Sequence, residues 1–202
     1  MKIAVIGAGN VGQACGKGWA AQGHAVRYGV RDPAKYAGLA TAPVADAARE
    51  AEAVLLATPW GAAEAAIREA GGLSGKLVLD ATNPLKMEDG GLALSLGHTS
   101  SAGEMVASWA KGAAVFKTLN TTGFGNMANA ARYPARPVMF YAGDDQAHRA
   151  TVARLLADLG FEAVDAGPMK NARLLEPYAM LWIDLAMKRG LGRDFAFALV
   201  RR

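Results

Sequence analysis

The run Lys2-Ile3-Ala4-Val5-Ile6-Gly7-Ala8-Gly9-Asn10-Val11-Gly12 decides the fold. After Lys2 it is apolar through Ile6, as a strand buried on both faces must be. The next six residues match G-x-G-x-x-G, and an Ala-rich helical stretch follows. The pattern alone is weak; between a strand and a helix it marks a phosphate-binding turn. Gly7 permits the tight turn, Gly9 lets the backbone approach a pyrophosphate, and Gly12 lets the helix pack close to the strand. The N–H groups of Asn10 and Val11 open the helix without intrahelical acceptors and so face the diphosphate. The competing reading, a glycine-rich turn with no ligand, does not account for this placement.

Working outward, apolar runs alternate with helical stretches. Strands are expected at Lys2–Ile6, Ala25–Gly29, Ala53–Thr58, Lys76–Asp80, Ala114–Lys117, Val138–Ala142 and Glu162–Asp165. Helices are expected at Val11–Gln22, Ala45–Glu50, Ala62–Glu69, Ser101–Trp109, Gln146–Leu159 and Asn171–Lys188. This alternation predicts an α/β fold of Rossmann type: a mostly parallel, doubly wound sheet covered on both faces, closed by a C-terminal helix. The 202 residues fit one dinucleotide-binding domain spanning residues 1–202. Lys86 to Ser100, rich in Gly and Ser, reads as a mobile loop.

Composition narrows the function classes. Hydrophobic residues make up 52% and charged residues 20%, enough apolar side chain for a packed core. No apolar run reaches the ~20 residues that span a bilayer. The single cysteine, Cys15, rules out an internal disulfide and a thiolate zinc cage, and the cytoplasm is the default compartment. Cys15 itself reads as a small apolar residue of the first helix. The net charge of +4 is spread along the chain without a basic, aromatic-interleaved block, so no nucleic-acid groove is expected; the excess suits small anionic ligands.

The end of the second strand separates two dinucleotides. NAD-binding chains place an acid there for the ribose 2′-hydroxyl. Here the strand runs Arg27-Tyr28-Gly29-Val30-Arg31 with no acid at its tip. Arg31, and next Lys35, can hold a 2′-phosphate, which favours NADP(H). Asp32 leaves NAD(H) open, although it reads better as the start of a turn with Pro33.

Ligands on such sheets bind outside the carboxyl ends of the strands. Thr58-Pro59-Trp60, Thr82-Asn83-Pro84 and Lys117 to Gly123 therefore gather at one place. Asn83, Thr118 and Asn120 can hydrogen-bond an amide or carbonyl. Trp60 either walls a planar ring or packs in the core. His24 and His148 read as structural; His98, in the loose loop, reads first as a loop residue, with a reach to the site as the alternative. Ser101 to Glu104 is a capping box, and Asp144-Asp145 caps the helix that follows. No His/carboxylate metal cluster and no general-acid lysine stand out. A dehydrogenase acting on an alcohol needs a proton relay; hydride exchange between two redox rings needs mainly orientation. The second is favoured.

These residues carry a resemblance. The chain resembles the NADPH:8-hydroxy-5-deazaflavin oxidoreductases, dependent on coenzyme F420, and the cytoplasmic domain of six-transmembrane ferric reductases. The likeness runs through the glycine turn, the Arg31 region, Thr58-Pro59-Trp60, Asp80 to Pro84, Ser101 to Glu104, Phe116 to Thr121 and Asp165 to Pro168. Asn171-Ala172-Arg173-Leu174-Leu175-Glu176-Pro177 is its most specific stretch, since no general Rossmann requirement explains it. The resemblance implies NADPH bound by the glycine turn and the basic residues after the second strand. It implies direct hydride transfer to a deazaflavin or flavin-like ring, in a pocket lined by Pro59-Trp60, Asn83-Pro84 and Gly167-Pro168. It also implies a homodimer packed through the last helix. Two departures stand out. Val30 replaces a small hydroxyl residue near the 2′-phosphate, and Thr121 to Phe124 is closer to a broader bacterial branch than to the archaeal deazaflavin enzymes.

Two rivals remain. Imine and keto-acid reductases share such an N-terminal domain but add a sizeable helical one, for which this length leaves no room. A non-catalytic NADPH sensor also fits the missing acid/base groups.

Overall fold

The computed structural model describes residues 1–202. Ten strands and seven helices alternate along the chain. In order they are β1 (Lys2–Ile6), α1 (Asn10–Ala21), β2 (Ala25–Gly29), β3 (Thr41–Ala42), α2 (Val44–Glu50), β4 (Ala53–Leu56), α3 (Ala63–Glu69) and β5 (Leu77–Asp80). There follow β6 (Leu85–Glu88), β7 (Gly91–Leu94), α4 (Ala102–Trp109), β8 (Ala114–Lys117), α5 (Phe124–Asn129), β9 (Val138–Gly143), α6 (Arg149–Asp158), β10 (Glu162–Asp165) and α7 (Ala172–Met187). Eight strands form one sheet in the order β10-β9-β8-β5-β4-β1-β2-β3.

The strand periodicity explains why the sheet is covered on both sides. Ile3 and Val5 of β1, Ala53 and Leu55 of β4, and Leu77 and Leu79 of β5 enter one core, closed by Cys15 and Trp19 of α1 and Val152 and Leu155 of α6. Ala4 and Ile6, Val54 and Leu56, and Val78 enter the other, closed by Ala47 of α2, Ile67 of α3, Val106 of α4 and Ala172 of α7. Adjacent residues face opposite ways in a strand, so a run apolar at every position needs two cores. No helix is long and apolar enough to cross a membrane.

The sheet is mostly parallel, as expected, with three features that the sequence reading did not give. Strands β8 and β9 pair antiparallel, with Lys117 opposite Ala142, while β9 and β10 pair parallel. The last two strands thus run against the other six, and their carboxyl ends point to the opposite edge. The region expected as a mobile loop contains a β6–β7 hairpin with Glu88 opposite Gly91. Its two-residue turn, Asp89-Gly90, is a hairpin signal that the surrounding glycines and serines mask. Helix α5, which the Gly- and Asn-rich sequence does not announce, packs on α1, with Met127 Sδ 3.8 Å from Cys15 Sγ.

Several polar residues turn out structural. His24 Nε2 meets Asp158 at 2.9 Å, and Asp145 accepts from the His148 N–H at the start of α6. Burial pushes the Cys15 thiol up to about 12, so it stays protonated and inert.

Candidate functional site

The carboxyl ends of β2, β1, β4, β5 and β8 bring Arg31, Gly7, Thr58, Asn83 and Asn120 into one row, in that order. Four strand spacings of about 4.8 Å make the row roughly 19 Å long.

The three glycines do different things. A Cβ on Gly7 would lie 2.6 Å from the Ala57 carbonyl oxygen, and the residue has φ +103°. A Cβ on Gly12 would lie 2.0 Å from the Gly7 oxygen and 3.0 Å from Val5 Cγ1, so this contact sets how closely α1 approaches β1. Gly9 is different. Its backbone is extended, with φ −75° and ψ −173°, and a Cβ there would meet no protein atom within 4 Å. Neither conformation nor packing requires glycine at this position. A glycine here leaves the backbone open to a group outside the chain, as a pyrophosphate turn needs. Gly9 is also the cap of α1, no side chain fills the cap, and the first turn holds no acid. The N–H groups of Asn10 and Val11 are thus free for an anion. The site fits a dinucleotide pyrophosphate.

At the β2 end, Arg31 and Lys35 are exposed, and Asp32 accepts from the Ala34 N–H at 3.2 Å, starting a short 3-10 turn at Pro33. The Asp32 carboxylate lies 3.5 Å from Lys35 Nζ, an exposed pair of little energetic weight. Val30 is buried in the first core; its side chain is a packing group, and its N–H bonds the Ala42 oxygen.

At the β5 and β8 ends, Asn83 and Asn120 clasp each other. Asn83 Nδ2 donates to the Asn120 oxygen at 3.0 Å, and Asn120 Nδ2 donates to Asn83 Oδ1 at 3.2 Å and to the Leu175 oxygen at 3.3 Å. Leu119, just before Asn120, is fully buried with φ +56°, a conformation uncommon for its type that aims the next side chain. Three buried side-chain polar atoms in the molecule have no partner, and two of them, Thr58 Oγ1 and Asn120 Oδ1, belong to this row. Such atoms are costly unless something completes them.

Pro59 starts the turn into α3, and Trp60 stacks on Trp109 with centroids 5.3 Å apart, so one indole face is covered and the ring packs against the second core. Pro168 does not join the row. It follows β10, whose carboxyl end points the other way, and lines a separate hollow with Asp144, Arg149 and Asp165. Its place in the pocket was what the family resemblance implies, and the strand directions here set it apart from the row.

Beneath the row lies a network that sequence reasoning missed. Lys117 is fully buried, with Nζ 3.0 Å from Asp80 Oδ2, 3.3 Å from Glu176 Oε1 and hydrogen-bonded to the Thr82 carbonyl at 2.5 Å. Asp80 Oδ1 also accepts from Thr82 N–H at 2.9 Å and its hydroxyl at 2.7 Å. Glu176 accepts from the Ala102 and Gly103 N–H groups, both at 3.0 Å, closing the N-terminus of α4. The signal was present: two neighbouring apolar strands end in Asp80 and Lys117, directly opposite each other. This explains the specific stretch at residues 171–177. Glu176 joins α7 to α4 and β8, and Arg173 holds Glu104 through two bonds of 2.8 and 2.7 Å.

The Arg173 guanidinium holds the Glu104 carboxyl below its ordinary range, helped by the Ser101 hydroxyl. A depressed carboxyl contributes stability above its unfolded pKa and loses it as pH falls through the folded one. Acid unfolding of Glu104→Gln is therefore expected to begin from a less stable state at neutral pH. The gap to wild type should narrow as pH drops through the carboxylate range; a constant gap would refute the pairing.

These features define an NADP-dependent oxidoreductase of Rossmann type. The sequence profile of NADP oxidoreductase coenzyme F420-dependent matches residues 2–84. A crystal structure from Arthrobacter sp. FB24, described as a candidate F420-dependent NADP-reductase, is 34% identical, covers all of both chains and superposes with a TM-score of 0.90. The chain belongs to the coenzyme F420-dependent NADP oxidoreductase family. A hypothetical protein from Sinorhizobium meliloti, 23% identical over all of this chain and 96% of its own, shares the fold at a TM-score of 0.74. So does a reductive aminase from Aspergillus terreus, solved with NADPH4, cyclohexanone and allyl amine, at 21% identity and a TM-score of 0.68. It is covered over 59% of its length by 91% of this chain. No curated protein matches the sequence.

Proposed function

We propose that the protein transfers a hydride between NADPH and a deazaflavin-type acceptor, coenzyme F420, or a flavin-like ring. The observation that carries this reading is the chemistry of the row. It offers amide and hydroxyl groups that orient a ring, while the ionisable groups nearest to the Asn83–Asn120 pair, Asp80, Lys117 and Glu176, are buried and bonded to one another. Orientation is what hydride exchange between two planar redox rings requires. NADPH gives up the hydride to become NADP⁺; the acceptor ring takes it with one solvent proton.

In this reading Gly7, Gly9 and Gly12 shape the pyrophosphate turn and Asn10 and Val11 supply N–H groups. Arg31 and Lys35 hold the 2′-phosphate. Thr58 Oγ1 and Asn120 Oδ1 take the nicotinamide carboxamide or ribose hydroxyls, with Pro59, Trp60 and Asn83 as the frame. The reading extends to a homodimer packed through α7, supported by Leu181 and Met187, both about half exposed on that helix. It also extends to a cytoplasmic location, supported by one buried thiol and no disulfide.

The test is NADPH oxidation by the purified protein with coenzyme F420 and with FMN. Turnover with either supports the reading; tight NADPH binding without turnover supports a sensor. Arg31→Glu is expected to raise the NADPH Kd by about tenfold or more, the scale of a charge-assisted bond to phosphate, and to leave the NADH Kd within about twofold. Equal loss for both would remove Arg31 from the 2′-phosphate.

A further inference from the structure

Past Asn120 the row ends at α7, and a cleft of about 650 Å³ opens there between that helix and residues 94–98. It adjoins the Asn83–Asn120 pair on both sides. Ser95 donates its N–H and hydroxyl to the carbonyl of Pro84, the residue after Asn83, at 2.7 and 2.9 Å. Leu174, on the cleft wall, precedes Leu175, whose carbonyl takes the Asn120 amide.

The walls have two characters. Leu94, Leu96, Leu174 and Pro177 are apolar, beside the polar His98 and Asn171, and Leu174 is 66% exposed. Arg173 and Lys170 supply positive charge. Arg173 is committed to Glu104, with two bonds and opposite charge. Lys170 is exposed on the short turn Met169–Asn171 and makes no ion pair. No carboxylate lines the cleft. It is thus a cleft of mixed lining whose rim carries one cation, Lys170, that has no ion-pair partner and adds only a long-range pull on the Glu104 carboxylate that Arg173 holds.

We propose that this cleft takes the side chain of the acceptor, that this side chain carries a phosphate or carboxylate, and that Lys170 makes the protein discriminate in favour of anionic acceptors. The inference rests on the hydride-transfer reading above, since it sets the acceptor ring at the Asn83–Asn120 pair and its substituent beyond. The apolar wall serves the linker, and Lys170 serves the charge.

The experiment compares ring-matched pairs: FMN against riboflavin, and coenzyme F420 against its tail-free 8-hydroxy-5-deazaflavin. Fluorescence titration of the NADP⁺-loaded protein gives Kd, and NADPH oxidation gives KM. Wild type is expected to prefer the anionic member of a pair by about fivefold, the upper reach of an exposed ion pair, with the preference shrinking as salt is raised. Lys170→Glu should weaken the anionic ligand about tenfold and leave the neutral one within twofold. Leu174→Asp, at an exposed position that folding tolerates, should weaken the anionic member of each pair. Neither change should move the NADPH Kd. Equal affinity for both members in wild type, or equal loss in Lys170→Glu, overturns the cleft assignment. Anion-selective binding lost in Lys170→Glu but without turnover keeps the cleft and overturns hydride transfer to these rings. Turnover without any Lys170 effect does the reverse, and an absence of both binding and turnover overturns both.

Discussion

Lys117→Met is expected to destabilise the fold by about 3–5 kcal/mol, the cost of removing one partner from a buried ion pair. At this chain length that lowers Tm by roughly 10 °C. The loss exceeds that of a surface pair because Asp80 and Glu176 remain, both buried and facing the space the ammonium filled. Methionine replaces the aliphatic stem but leaves the two carboxylates uncompensated. Adding Asp80→Asn to Lys117→Met should recover part of the loss, since one of the two charges is then gone. Thermal or urea unfolding reads the result. A Tm within about 2 °C of wild type would show that the network carries no such weight.

The second large effect separates binding from stability. Gly9→Val is expected to leave Tm within about 2 °C of wild type, the scatter of a neutral surface change, because its side chain starts in open space. NADPH affinity should fall by about 100-fold, the loss of roughly two charge-assisted bonds between backbone N–H and pyrophosphate. Gly12→Ala should behave in the opposite way. Its Cβ would lie 2.0 Å from the Gly7 oxygen, so α1 must move and the fold weakens first. Melting curves with and without NADPH, together with a fluorescence titration, resolve the two. A Gly9→Val protein that binds NADPH as wild type does would remove Gly9 from the pyrophosphate turn.

Much of this was legible because it is local. The glycine turn, the missing acid after β2 and the apolar runs of β1, β4 and β5 are statements about consecutive residues. The pairing of Asn83 with Asn120 was legible at one remove, since parallel strands deliver their carboxyl ends to one edge. The misreadings arose where distant segments choose between options that the local pattern leaves equal. An apolar run such as Val138–Ala142 is equally content parallel or antiparallel, so the reversal of β9 and β10, and with it the position of Pro168, left no trace in the residues themselves. Trp60 reads the same whether it meets a ligand or Trp109.

By itself the sequence determined the two-sided α/β sheet, the glycine turn and the absence of an acid at the end of β2, because periodicity, glycine sterics and the sign of a charge act within a few residues. Only the tertiary structure decided that Lys117, Asp80 and Glu176 share one dry interior, that Arg173 is spoken for by Glu104, and that Lys170 is left at the rim of a cleft. Whether a charge is paired, buried or free is fixed by neighbours tens of residues away, and the chain acquires those neighbours only on folding.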